Sequence, residues 1–174
     1  YEVFDAATER SAWTFENDSE GWQSWVNGGQ YDEAYWTSGM MKLNGSDLQT
    51  ETVSSNYEAN SAIYNLIKVP QGEGDLNLNI KIVLNNKMSR VKVRLIVKNG
   101  DALENVYSYS AEEQQLRGFR LLESETQDAV WYTFGNLNEL KGKEVLILIE
   151  QDDPSDGDGR YLFIDEIKIS SDKY

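Results

Sequence analysis

Apolar and polar residues alternate along most of the chain. Asp75 to Asn85 reads D-L-N-L-N-I-K-I-V-L-N, with Leu76, Leu78, Ile80, Ile82 and Leu84 on one parity and Asn77, Asn79 and Lys81 on the other. Ser89 to Lys98 repeats the pattern, with Val91, Val93, Leu95 and Val97 set against Arg90, Lys92, Arg94 and Lys98. A period of two is the mark of a strand with one buried face. Asn85-Asn86-Lys87 reads as a turn, so these two strands are expected to be hairpin neighbours. Further strands are expected at Ala12–Glu16, Met40–Leu43, Ser61–Val69, Val106–Tyr109, Val130–Phe134, Glu144–Gln151 and Tyr161–Ser170.

Glycines punctuate these segments, and helical periodicity is nearly absent. Ser110 to Gly118 is the exception. Ser110 followed by Glu113 has the spacing of a capping box, which predicts one short surface helix. Asn136–Leu140 is expected to form a helical turn. Many short strands with turn signals indicate an all-β protein, a two-sheet antiparallel β-sandwich. One domain is expected over 12–170, with an N-terminal extension or linker over 1–11 and a tail over 171–174.

Composition narrows the chemistry. There is no cysteine and no histidine. Disulfides, thiolate and imidazole metal sites, cysteine nucleophiles and a Ser-His-Asp triad are thereby excluded. The net charge is −14. Nucleic acid and an anionic membrane would be repelled, whereas a neutral ligand or a cation would not. No apolar run is long enough for a membrane-spanning helix.

Two terminal segments carry a family resemblance. Trp13 to Trp22 reads W-T-F-E-N-D-S-E-G-W, and Gly159 to Ser170 reads G-R-Y-L-F-I-D-E-I-K-I-S. Between them lie G-M-M-K-L-N-G at 39–45 and W-Y-T-F-G-N-L-N-E-L-K-G-K at 131–143. In this order they resemble the jelly-roll carbohydrate-binding modules of secreted glycoside hydrolases. The resemblance implies a jelly roll and non-catalytic binding of a polysaccharide. It also implies a secreted or cell-surface setting within a larger multidomain enzyme, with the module itself expected as a monomer. Family members often hold a structural calcium between the first and last strands. Glu16, Asp18 and Asp165 are the ligands this implies, because antiparallel end strands would bring Glu16 close to Asp165 and calcium takes oxygen donors. The alternative reading leaves them as solvated carboxylates. The acidic stretch 152–158 reads as a solvated turn.

Sugars stack their C–H faces on aromatic rings and give their hydroxyls to amide, carboxylate and guanidinium groups. Trp13, Trp22 and Trp131 read as packing residues. Trp25, Tyr31, Tyr35 and Trp36 lie in or beside a Gly-rich polar loop and are the candidate ring platforms. Asn79, Lys92, Arg94 and Tyr107 are the candidate polar contacts, on the expectation that their strands adjoin. A glycosidase would need two cooperating carboxylates. Asp165 and Glu166, adjacent in a strand, would point to opposite faces, so no enzyme is expected. An adhesive or structural domain of a cell-surface protein is the alternative class.

Overall fold

The computed structural model describes residues 8–25, 31–43, 60–85, 88–97, 114–124, 126–152 and 161–174. They form two sheets packed face to face. Sheet A has the strand order β1 (Thr8–Glu9), β7 (Asn60–Lys68), β12 (Glu144–Asp152), β9 (Met88–Val97), β10 (Gln114–Glu123), with β3 (Gln23–Ser24) and β4 (Tyr31–Asp32) also pairing with β7. Sheet B has the order β11 (Val130–Asn136), β8 (Asn77–Leu84), β13 (Leu162–Ser170), β6 (Met40–Leu43), β5 (Tyr35–Thr37), with β2 (Ala12–Trp13) on β13. All pairings are antiparallel except the short β1 and β4 contacts with β7.

Alternation explains the core. Ile63 and Ile67 of β7, Val91, Val93 and Leu95 of β9, and Val145, Ile147 and Ile149 of β12 face inward from sheet A. Leu78, Ile80, Ile82 and Leu84 of β8 meet them from sheet B, with Ile164, Ile167, Met41 and Leu43. Burying each such side chain contributes about 1.5–3 kcal/mol. Trp13 and Trp22 are buried with their rings 5.6 Å apart, edge to face. Gly21 precedes Trp22 at φ +87°. That left-handed turn, closed by the Trp22 amide on the Ser19 carbonyl at 2.9 Å, is one glycine adopts without steric cost.

Most strand expectations match to within two residues, and the helical turn is present as a 3-10 helix at Asn138–Leu140. Three differ. First, β8 and β9 are not hairpin neighbours, because β8 lies in sheet B and β9 in sheet A. Their connection crosses the sandwich. One buried face per strand is satisfied equally by pairing side by side or by facing across the core. Second, Gln114–Gly118 lies in strand β10, with Gln114, Gln115 and Leu116 paired to β9; 110–113 falls outside the described residues. Pairing overrides a weak local helix signal there. Third, the Ala12–Glu16 strand stops at Trp13, because Phe15 takes φ +57°. The expected strand at Val106–Tyr109 lies outside the described residues. The N-terminal extension contributes β1 to the edge of sheet A.

Candidate functional site

Each sheet has one face turned away from the core, and the two differ. On sheet A the outward parity is Ala62, Tyr64 and Leu66 of β7, Leu146, Leu148 and Glu150 of β12, and Lys92, Arg94 and Ile96 of β9. The register aligns Tyr64, Leu148 and Arg94 in one row, and Ala62, Glu150 and Lys92 in the next. The apolar members join Trp25 in a second hydrophobic cluster. Trp25 donates its backbone N–H to the Ala62 carbonyl at 2.9 Å. Its indole packs edge-on against Tyr64 at 5.5 Å. The Tyr64 hydroxyl donates to Gln23 Oε1 at 2.8 Å. Arg94 Nη2 lies 3.6 Å from Glu150 Oε2, and the Glu150 carboxylate is only 1 % exposed.

Trp25, Lys92 and Arg94 thus share one face, but a covered one. Trp25 is 3 % exposed, so it is a packing residue and not the ring platform expected. The cause lies in β12, whose V-L-I-L-I run is apolar on both parities. A strand of that composition is buried on both faces. The groove expected from Asn79 beside Lys92 and Arg94 does not form, because β8 and β9 belong to opposite sheets.

On sheet B the outward residues are mostly half-buried, with Tyr35 exposed at one edge and Asn77, Asn79 and Thr133 buried towards the other. Tyr35 pairs with Lys42, Lys42 with Phe163, and Phe163 with Val83, giving one row across β5, β6, β13 and β8. Lys42 Nζ sits 4.2 Å from the Tyr161 ring centroid and 5.8 Å from that of Tyr35. Tyr161 meets Phe163 edge-on at 5.6 Å. Tyr35 is 42 % exposed and Trp36 38 %. The Trp36 indole N–H donates to the Phe15 carbonyl at 2.7 Å. The left-handed Phe15 is itself held by its N–H donating to Glu20 Oε2 at 2.6 Å. The local strain at Phe15 therefore serves to fix an exposed ring.

At the opposite edge of this face stands Trp131, a packing residue as expected, partly buried and facing outward on β11. Asn79 lies beneath, fully buried. Its Oδ1 accepts from Thr133 Oγ1 at 2.6 Å, and its Nδ2 donates to Ser170 Oγ at 3.2 Å and the Asp172 carbonyl at 3.1 Å. With these bonds in place it is not a ligand contact. Tyr31 lies in β4, whose side chains are outside the described set, and Tyr107 lies outside the described residues.

Sequence reasoning missed Lys42, Tyr161 and Phe163. The signal was present in parity: Met41 and Leu43, and Leu162 and Ile164, bracket them as core residues.

The donors expected for calcium lie at the two end strands. The end strands do pair antiparallel, with Trp13 opposite Ile167 and Ala12 opposite Lys168. Two of the three carboxylates have other partners. Asp18 accepts from the Glu20 amide at 2.8 Å, and Asp165 lies 3.6 Å from Lys81 Nζ. Among the described residues no three acidic side chains converge. Glu16, Asp18 and Asp165 thus form no three-carboxylate cluster, and an ion between these strands would draw most of its oxygen ligands from backbone carbonyls. Asp165 also sits at a β-bulge, since the register with β8 shifts between Ile164 and Glu166. Ile164 and Ile167 both reach the core, so Asp165 and Glu166 do not follow the simple opposite-face rule.

The sequence matches no protein-family profile and no curated protein. Solved structures do match. The chain aligns over 96 % of its length with 99 % of CBM28, a carbohydrate-binding module specific for non-crystalline cellulose, at TM-score 0.52 and 12 % identity. It aligns over 92 % with 97 % of the K1 cleaved adhesin domain of Lys-gingipain from Porphyromonas gingivalis, at 0.54 and 12 %. It aligns over 93 % with 96 % of the laminarinase from Rhodothermus marinus, at 0.51 and 10 %. The chain has the jelly-roll sandwich of carbohydrate-binding modules. At these identities the likeness is one of fold. The same sandwich serves an adhesin domain, a binding module and a laminarinase, so function has to be argued from the site.

Proposed function

We propose that this chain is a non-catalytic carbohydrate-binding module. It takes a plant-type or algal polysaccharide chain, β-glucan, xylan or mannan, on the outer face of sheet B and targets an attached secreted enzyme to it. The observation that carries this reading is the exposure of Tyr35 beside Lys42, Tyr161 and Phe163. A pyranose lays its C–H face on a ring, and Tyr35 offers one on the outer face. Lys42 donates N–H groups to hydroxyls, and the Tyr161 hydroxyl donates and accepts. Trp36 sits at the sheet edge on the other parity, opposite Met41, its ring position fixed by the Phe15 carbonyl. A fixed ring loses little conformational entropy on binding.

A net charge of −14 is compatible with a neutral polymer and unfavourable for a polyanion. The non-catalytic part of the reading draws support from the state of the carboxylates. Asp165, two residues from Phe163, pairs with Lys81, and Glu150 is sealed beside Arg94.

The test is affinity electrophoresis against soluble β-glucans, xylans, mannans and galactans, with release of reducing ends assayed in parallel. Retardation by one polymer, weakened by Tyr35→Ala and without new reducing ends, is expected. No retardation of a folded protein by any of them would shift the assignment to an adhesive, protein-binding domain.

A further inference from the structure

The last residues of the described chain do not hang free. They lie on the outer face of sheet B, across its β11 edge. Tyr174 stacks on Trp131 with ring centroids 5.5 Å apart and planes 10° from parallel. Lys168 Nζ sits 4.3 Å from the Trp131 centroid, donates to the Tyr174 hydroxyl at 2.6 Å and pairs with Asp172 at 2.8 Å. Asn77 and Asn79 both donate their side-chain N–H groups to one carbonyl, that of Asp172, at 3.2 and 3.1 Å. The Tyr174 backbone N–H donates to Thr133 Oγ1 at 2.8 Å.

These contacts are those a sugar would make. A flat ring rests on Trp131, two amide donors converge on one oxygen, and a hydroxyl accepts from the same segment. Yet Tyr174 is 54 % exposed, so the segment covers the ring without being buried by it. Trp131 stands four strand spacings from Tyr35, by way of β8, β13 and β6. At about 4.8 Å per spacing that is about 19 Å across one face. A polymer chain lying over Tyr35 and running across the strands would arrive at the segment that covers Trp131.

We propose that Trp131, with Asn77, Asn79, Thr133 and Lys168, forms a second subsite for the same polysaccharide, and that residues Asp172–Tyr174 occupy it as a displaceable strap. The inference rests on the carbohydrate-binding reading above. It adds the class of contact made at the far end of the face and a built-in competitor for it. A bound chain must displace Tyr174 from Trp131, so the strap lowers affinity and selects for chains long enough to span both ends.

The experiment compares the full chain with Tyr174→Ala, with a form lacking residues 172–174, and with each of these combined with Trp131→Ala. All are titrated with the polymer that retards the parent protein, or with the whole panel if none does. Melting temperatures are recorded to confirm folding. Opening the strap is expected to tighten binding by about two- to tenfold, the worth of one exposed ring stack. Trp131→Ala is expected to abolish that gain. Tyr174→Ala serves as the milder variant should the shortened form not fold. Unchanged or weaker binding in both opened forms, with Tyr35→Ala still reducing it, would overturn the strap and leave the carbohydrate reading standing. A gain that survives Trp131→Ala would overturn the subsite. Failure of the parent and both opened forms to bind any polymer would overturn both proposals.

Discussion

The two outer faces of this sandwich derive from strands of similar length and have opposite fates. Sheet A buries its outer face under Trp25, with leucines, an isoleucine and an Arg–Glu pair beneath. Sheet B leaves its outer face partly exposed, covered at its β11 side by residues 172–174, and furnishes it with rings and lysines. The difference lies in the composition of the central strands. In β12 both parities are apolar, as V-L-I-L-I. In β13 the inward parity is apolar and the outward residues are Phe163, Asp165, Glu166, Lys168 and Ser170. A face that must be covered cannot also be an open platform. The proposed binding site therefore falls on sheet B.

The comparison breaks most sharply with a charge. Leu148→Asp places a carboxylate at the centre of the covered face. It is expected to cost about 3–5 kcal/mol in chemical denaturation, as an uncompensated buried charge does. Val83→Asp, on the half-buried outward parity of β8, is expected to stay within about 1 kcal/mol. Equal costs would mean that the two faces are equally covered.

Arg94→Met comes next. It removes this cation from beside a Glu150 carboxylate that is 1 % exposed, and is expected to cost about 2–4 kcal/mol. Lys92 faces Glu150 in the register, so the cost is expected to stay below that of Leu148→Asp. Polymer binding should not change.

Much of this contrast was legible in the sequence. Alternation located β8, β9 and β13 to within two residues, because a half-buried strand writes its parity into consecutive positions, and β12 showed as a continuous apolar run. What alternation does not say is which sheet a strand enters. Val91 and Ile80 both need a core, and a sandwich supplies one to either sheet, so the β8–β9 neighbourhood was not readable. Trp25 and Tyr35 also look alike in sequence, as aromatics flanking one polar loop. Their separation depends on what lies beneath each ring: Ala62 and Tyr64 under Trp25, Lys42 beside Tyr35. Lys42, Tyr161 and Phe163 could have been found by parity alone. The β-bulge at Asp165 hides in I-D-E-I, where two core residues stand three apart.

A smaller effect sharpens the account of the platform. Trp36→Phe keeps a ring and loses the N–H that donates to the Phe15 carbonyl. It is expected to cost about 1 kcal/mol of stability, with a loss of affinity smaller than that of Trp36→Ala.

The smallest effect is one of pH, confined to the strap. Hydrogen bonding from Lys168, then from Ser170, holds the Asp172 carboxyl below its ordinary value near 3.8. Hydrogen bonding to Asp172, then to Tyr174, holds the Lys168 ammonium above its ordinary value near 10.5. The lowered group stabilises docking above its ordinary value and loses that contribution as the pH falls through the lowered one. The raised group contributes fully below its ordinary value and loses it as the pH rises through the raised one. Amide exchange at Tyr174 should therefore be protected evenly between those limits and speed up beyond both. Loss of protection near neutral pH would contradict the Lys168–Asp172 link.

The central claim is that polysaccharide lies on the outer face of sheet B, and paired substitutions in one titration test it most directly. Tyr35→Ala and Trp25→Phe are titrated with the polymer that retards the parent protein, both confirmed folded by their melting curves. The account predicts that Tyr35→Ala lowers affinity about tenfold or more, as loss of a central aromatic anchor does, while Trp25→Phe leaves affinity unchanged and lowers only the melting temperature. Full affinity in Tyr35→Ala together with lost affinity in Trp25→Phe would contradict it and move the site to sheet A.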